Sequence, residues 1–177
     1  MRLSRPALAF AAALTLSLAA APAASACAGA GASTENTTSR VLVRATLCVL
    51  NTERARHGVG TLRLNRRLSA AARGHSHAMV SDRFFSHESL SGASFVDRIR
   101  ATGYLSGAQS WSVGENIAYG SGSRSTPRSI GRAWMNSPGH RANLLSESFR
   151  QVGIGIASGT PVGSGGATYT TDFGRRS

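Results

Sequence analysis

The feature that most constrains the fold is a change in the spacing of apolar residues along the chain. In the first half, Leu68, Ala72 and Met79 stand at i, i+4 and i+11, which places them on one face of a helix. Towards the C-terminus, apolar residues alternate with glycines over residues 152–156, which is the period of a strand. Because helical patterns come first and a predicted hairpin closes the chain, the order indicates an α+β fold rather than repeated βαβ units.

Capping and turn residues give approximate bounds to the other elements. Ser94 and Asp97 resemble a capping box, with Asp in the place of Glu or Gln, and Thr126 precedes a proline suited to the first helical turn. The first predicted helix covers residues 41–56, and the second begins near residue 65. Two more run from 94 to 103 and from 126 to 137, and a further helical turn covers 140–145. The predicted strands cover 111–119, 152–156 and 167–173.

Residues 1–26 have the pattern of a secretory signal peptide. Arg2 and Arg5 provide the charged start, an apolar stretch follows, and residues 24–26 read Ala-Ser-Ala, which fits an A-x-A cleavage site. The alternative, a transmembrane anchor, requires about 20 strongly apolar residues, and this stretch is shorter and mostly alanine. We therefore expect a secreted chain without a transmembrane segment after cleavage, with a flexible arm at 27–39 and one domain at 40–177.

The chain has two cysteines, Cys27 and Cys48, and both follow the predicted cleavage site. In an oxidising compartment, an even number of cysteines predicts a disulfide, here Cys27–Cys48. The alternative is a lipoprotein in which Cys27 is acylated after cleavage. That signal prefers leucine three residues earlier, where this chain has Ala24, and acylation leaves Cys48 unpaired. The disulfide is therefore the favoured prediction.

All 20 basic residues are arginine, against eight acidic residues, and the formal net charge is +12. The lack of lysine excludes a Walker-A nucleotide site and Schiff-base catalysis by lysine. The positive charge permits binding to anionic lipids, wall polymers or nucleic acid. Because the arginines are scattered rather than gathered in one run, we expect no specific nucleic-acid partner. The sequence also lacks the G-x-S-x-G, H-E-x-x-H and G-x-G-x-x-G motifs.

Three polar residues stand where different elements can bring them together. Glu115 shares a predicted strand face with apolar residues, so it must find partners, become protonated or face water at a sheet edge. His87 follows two aromatic residues at a helix exit, and His140 follows a Pro-Gly break. Rigid turns of this kind allow the three side chains to share a pocket, whereas a lone histidine is more often a surface or core residue.

Packing or the helix dipole explains the other prominent side chains. His75 lies on the apolar face of the second helix, which predicts a buried histidine with a backbone partner. His77 is predicted to be exposed, and His57 lies at a helix C-terminus, where a cation suits the helix dipole. Trp134 is predicted to be part of the core.

Several stretches, taken in order, resemble the CAP superfamily, which includes the cysteine-rich secretory proteins, antigen 5 and the plant pathogenesis-related class 1 proteins. They extend from Leu47 to Gly174, and the likeness is greatest to the bacterial secreted branch. The combination of GENIA with WMNSPGHRANLL is specific, whereas any shorter piece alone is weak. The matching stretches are LCVLNTERARHGVGTLRLNRRLSAAARGHSHAM, FFSH, GYLSGAQSWSVGENIA, AWMNSPGHRANLL, and VGIGIA with YTTDFG.

The resemblance implies a three-layer α-β-α sandwich around a mostly antiparallel sheet, with a cleft lined by two histidines and two glutamates. His87 in FFSH, Glu115 in GENI and His140 in PGHRAN match three of these four positions. The second glutamate has no clear counterpart, and Ser137 stands near its expected place. Asn116, next to Glu115, completes the predicted cleft. The missing carboxylate weakens any mechanism that needs a pair of them.

Members of this superfamily differ in activity, so the resemblance leaves three functions open. The lack of a nucleophile and of the second glutamate favours an extracellular binding module for a lipid or a cell-envelope component. A metal-dependent hydrolase is the second, in which His87, His140 and Glu115 hold Zn²⁺ or another divalent metal and leave one position for water. Glu115 cannot be both a metal ligand and the general base, which counts against it. The third is a structural, wall-associated domain.

Overall fold

The computed structural model describes residues 27–177, and the predicted signal peptide at 1–26 lies outside the described residues. Helices and strands alternate irregularly along the chain, as the α+β prediction requires. The helices are α1 (Ser39–Arg56), α2 (Arg66–Ser81), α3 (Phe95–Ala101), α4 (Pro127–Asn136) and α5 (Pro138–Leu145), with a short 3-10 helix at Gly122–Ser125; the strands are β1 (Arg63–Leu64), β2 (Trp111–Gly120), β3 (Gln151–Thr160) and β4 (Gly163–Arg176).

The helices begin where their capping residues predict. The Asn65 side chain accepts hydrogen bonds from two backbone N–H groups at the start of α2. Ser94 and Asp97 form a reciprocal capping box at the start of α3. Thr126 caps α4, with Pro127 in its first turn. These local signals are confirmed, and each satisfies backbone donors that the helix itself leaves without partners.

The four strands among the described residues form one sheet in the order β1-β3-β4-β2. Strand β4 pairs antiparallel with both β2 and β3, whereas β1 pairs parallel with β3. The sheet is therefore mostly antiparallel, as expected. Strand β1 has only two residues, too few to show alternation in the sequence. The register sets Glu115 of β2 and Gly153 of β3 on either side of Asp172.

Helices cover both faces of the sheet. The side chains of Val152, Ile154 and Ile156 face α1, α4 and α5 and form the main core with residues such as Trp134, which is buried as predicted. The opposite face is covered by α2 and α3. Here a Cβ atom on Gly153 would overlap the backbone of α2, so the helix lies directly on β3. The layers are thus those of an α-β-α sandwich.

A buried arginine holds α5 in place. Arg54 of α1 is fully buried, and its Nη1 atom donates hydrogen bonds to the carbonyl oxygens of Leu144 (2.7 Å) and Ser146 (3.0 Å). Its Nε atom donates to the carbonyl oxygen of Gly60 at 2.6 Å. Burial lowers the pKa of Arg54, and these carbonyl groups replace the water that it loses. The end of α5, the helix that carries His140, is therefore tied to α1.

The predicted Cys27–Cys48 disulfide is confirmed, with Cα atoms 5.7 Å apart. It joins the segment before α1 to the middle of that helix. The segment at residues 27–38 forms turns, and the carbonyl oxygen of Ala30 accepts a hydrogen bond from the backbone of Arg128 in α4 at 2.9 Å. None of the helices in residues 27–177 combines the length and the apolar character that a membrane crossing needs.

Candidate functional site

Glu115 forms the centre of a buried polar network on the α2 and α3 side of β2. Its carboxylate is fully buried, and both of its oxygens are engaged. One oxygen lies 2.8 Å from Nδ1 of His87, and the other accepts a hydrogen bond from Arg98 at 2.6 Å. The His87 side chain is half exposed, so the network reaches solvent through this imidazole. Of the three outcomes predicted for Glu115, the structure shows the first, because the buried carboxylate has hydrogen-bond partners.

Arg98 of α3 is the site residue that sequence reasoning missed. Besides Glu115, its guanidinium group donates hydrogen bonds to the carbonyl oxygens of His87 (2.9 Å) and Ala93 (3.1 Å). It therefore holds the loop that carries His87 against the same carboxylate that orients the His87 ring. The capping box at Ser94 was a local signal for the helix, but nothing local showed that Arg98 would face a strand.

Asp172 of β4 is a second buried carboxyl group in the network, directly opposite Glu115 in the sheet register. Neither of its oxygens has a hydrogen-bond partner among the described residues. Burial, and then the Glu115 carboxylate, raise the pKa of Asp172 well above its usual value. The raised pKa favours the neutral form of Asp172, and the Glu115 carboxylate pairs with Arg98 instead.

The other predicted cleft residues lie on the opposite face of β2. Ser137 and His140 begin α5, and the His140 Nδ1 atom lies 2.9 Å from Oγ of Ser137. Asn116 points to this side because neighbouring strand residues alternate, and its amide donates to the carbonyl oxygen of His140 at 2.9 Å. Burial, and then the nearby His87, lower the pKa of His140. Strand β2 is a sheet edge, with Glu115 on one face and Asn116 on the other.

The predicted metal site fits this arrangement poorly. Across residues 27–177, no three His, Cys, Asp or Glu side chains are arranged to hold one metal ion. Both Glu115 oxygens are already hydrogen-bonded, one of them to a permanently charged arginine. Glu115 pairs with Nδ1 of His87. His140 makes its contact with Ser137 instead.

The remaining histidine predictions agree with the structure. His75 is buried, and its Nε2 atom lies 2.9 Å from the carbonyl oxygen of Ser86, just before His87. Burial lowers the pKa of His75, which keeps this histidine neutral. His77 is exposed. His57 follows α1, where its Nδ1 atom lies 2.8 Å from the carbonyl oxygen of Glu53.

An exposed aromatic pair stands beside the polar network. Phe85 comes two residues before His87, and Tyr119 lies on the same face of β2 as Glu115. Their ring centroids are 4.9 Å apart in an edge-to-face arrangement, and the residues are 45% and 41% exposed. The sequence showed both aromatic residues, but only the fold shows that they meet. The pair thus presents exposed aromatic surface on the side of the sheet where Glu115 lies.

A family model of the cysteine-rich secretory protein family, CAP, matches residues 47–172. The chain therefore belongs to the CAP family. The Bacillus subtilis protein YkwD, itself uncharacterized, is 36% identical over 111 residues, which are 62% of this chain and 40% of that protein. The chain thus spans less than half the length of this curated relative.

Two solved structures agree with the fold. An extracellular protein containing an SCP domain from Bacillus anthracis is 27% identical, with a TM-score of 0.59 over 77% of this chain and 43% of that chain. An outer surface protein from Borrelia burgdorferi has a TM-score of 0.65 at 19% identity, over 80% of this chain and 97% of that chain, a likeness of fold alone. The CAP domain and the disulfide fit an extracellular protein.

Proposed function

We propose that this CAP domain is an extracellular binding module whose cleft, around His87, Glu115 and His140, takes a lipid or a cell-envelope component. The observation that carries the proposal is that both oxygens of Glu115 are engaged, by His87 and by Arg98. A carboxylate held in this way orients an imidazole and is not free to take a proton from a substrate. The site is therefore better suited to holding a ligand than to transforming one.

The two histidines offer polar contacts to such a ligand. The Nδ1 atom of His87 is held by Glu115 and that of His140 by Ser137, which leaves the Nε2 atom of each ring. Beside them, Phe85 and Tyr119 offer exposed aromatic surface. A few fixed polar groups next to an apolar surface suit an amphiphilic molecule with a polar head.

A metal-dependent hydrolase has less support. It needs Glu115 either as a ligand or as a general base, and Arg98 competes for both roles because it holds one of the two oxygens. Both cysteines among the described residues are in the disulfide, so neither is a free nucleophile.

The test is the recovery of ligand by the purified protein. Wild type is incubated with isolated cell-envelope fragments and repurified, and the bound material is extracted with organic solvent and identified by mass spectrometry. We expect His87→Ala and His140→Ala each to lose most of the bound material, while His77→Ala, an exposed histidine outside the cleft, retains it. Equal recovery with all three variants would contradict a role for the cleft.

A further inference from the structure

Two adjoining cavities lie at the N-terminal end of α2 and share Arg66 and Arg67 in their walls. The larger has a volume of about 830 Å³ and is also lined by Leu64 and Arg73. The smaller has a volume of about 340 Å³ and is also lined by Arg176. We name them together the arginine groove. No cleft residue lines it, and Leu64 belongs to β1, the sheet edge opposite to β2.

The positive charges of the arginine groove are not balanced by the fold. Its four arginines are exposed, and within residues 27–177 none forms an ion pair. None of the eight acidic residues of the chain lines either cavity. Four guanidinium groups in one concave surface repel each other, and an anionic ligand would relieve that repulsion.

Two of the arginines are positioned by the fold and two are free to reach a ligand. Arg67 donates a hydrogen bond to the carbonyl oxygen of Gly103, and Arg176 donates to that of Tyr104, each at 2.9 Å. Arg66 and Arg73 make no side-chain hydrogen bond within the described part of the chain, although both line the larger cavity. The groove thus has fixed charges at one end and adaptable charges along its wall.

The chemistry of the groove selects the type of anion. A guanidinium group matches two phosphate oxygens at once. Between the arginines, Leu64 and Ala70 give the larger cavity an apolar floor, and Leu64 is 44% exposed. We infer that the arginine groove binds a phosphodiester polymer with a polyol or sugar backbone, because such a chain places successive phosphates along the arginines while its carbon backbone lies on the floor.

The groove lacks what other phosphate-bearing macromolecules would use. A single-stranded nucleic acid gains affinity by stacking its bases on aromatic rings. The aromatic residue that lines the groove, Tyr104, is fully buried, so no ring is offered to a base. A lipid bilayer presents its phosphates in a plane, whereas these arginines line a concavity.

The experiment measures binding of soluble poly(glycerol phosphate) to the full secreted protein by calorimetry. We expect the double variant Arg66→Gln, Arg73→Gln to bind about tenfold or more weakly and to lose part of the salt dependence. The matched control is Arg128→Gln, Arg132→Gln, which removes the same charge from exposed positions on α4, on the other side of the sheet. Melting temperatures of both variants verify that they are folded.

An equal loss in both double variants would overturn the inference, because net charge alone would then explain the binding. Wild-type binding that is equally tight for a single-stranded DNA with the same number of phosphates, or for vesicles with anionic lipid, would overturn it as well. Inorganic phosphate should bind far more weakly than the polymer, and equal affinity would contradict the need for a chain.

The proposals for the arginine groove and for the cleft can be tested independently of each other. His87→Ala should bind poly(glycerol phosphate) as wild type does, since His87 does not line the groove. The Arg66→Gln, Arg73→Gln variant should retain its cleft ligand. A polymer affinity that falls with His87→Ala would instead assign the polymer to the cleft.

Discussion

Arg98 determines what Glu115 does in this fold. A buried carboxylate with only a half-exposed histidine as its partner would either become protonated or destabilise the sheet. Arg98 is itself nearly buried, with 12% of its side chain exposed. It binds the carboxylate through one nitrogen and the His87 loop through another, so one side chain joins α3, β2 and the loop that carries His87.

We predict that Arg98→Ala destabilises the domain by about 3–5 kcal/mol, because it leaves Glu115 as a buried charge without its main partner. The matched control is Arg100→Ala, two residues along the same helix, whose ion pair with Asp97 is exposed. Chemical denaturation of both variants at neutral pH measures the difference. Similar losses of stability in the two variants would show that the buried pair has no special weight.

At the scale of elements, the contact between α2 and β3 fixes the position of α2, and with it His75. Gly153 and Gly155 let the backbone of α2 lie directly on the strand, near Leu68 and Ala72. The same helix carries His75, whose ring contacts the backbone of Ser86 next to His87. A displacement of α2 would therefore move the loop that carries His87.

We predict that Gly153→Ala costs about 1–3 kcal/mol or more, because a Cβ atom would overlap the backbone of Leu68 and push α2 off the sheet. Gly165→Ala, in β4, is the control, since a Cβ atom there meets nothing within 4 Å. Thermal unfolding gives the difference in stability. If both variants melt at the same temperature, the close approach of helix and strand does not limit the fold.

The elements were predictable from the sequence to the extent that their signals are local. The caps at Ser94 and Thr126 gave two of the helix starts, and alternation gave β2 and β3. Strand β1 was missed because it is a strand only through its parallel pairing with a distant segment. The assignment of each helix to one face of the sheet likewise depends on contacts between distant segments, which no local signal reveals.

For the whole molecule, the cleft could be predicted only in part. His87, Glu115 and His140 came from motifs and from a resemblance, and the structure joins the first two by a hydrogen bond. Arg98 and Asp172 were missed because their roles depend on the packing of α3 and the register of β4. The local pattern marked Glu115 as an acid on an apolar strand face, but only the assembled sheet shows that Asp172 lies opposite it.

The free energy of unfolding should depend on pH through the buried carboxyl group of Asp172. The pKa of Asp172 is raised in the fold, so its contribution to stability is full below the unfolded value of about 4 and is lost as pH rises towards the folded pKa. In that window the free energy of unfolding falls by about 1.4 kcal/mol per pH unit.

The Asp172→Asn variant has no proton to lose, and its amide can donate a hydrogen bond to Glu115. Relative to wild type, the variant should therefore gain stability as pH rises above 4, until the folded pKa of Asp172 is passed, in denaturation curves measured from pH 4 to 8. The lowered pKa of His75 makes stability change with pH in the opposite direction, but this effect is common to both proteins and cancels in the difference.

The control is Glu88→Gln, which removes an exposed acid and should show no such trend. A constant difference in stability between Asp172→Asn and wild type across this range would mean that Asp172 is ionised in the fold.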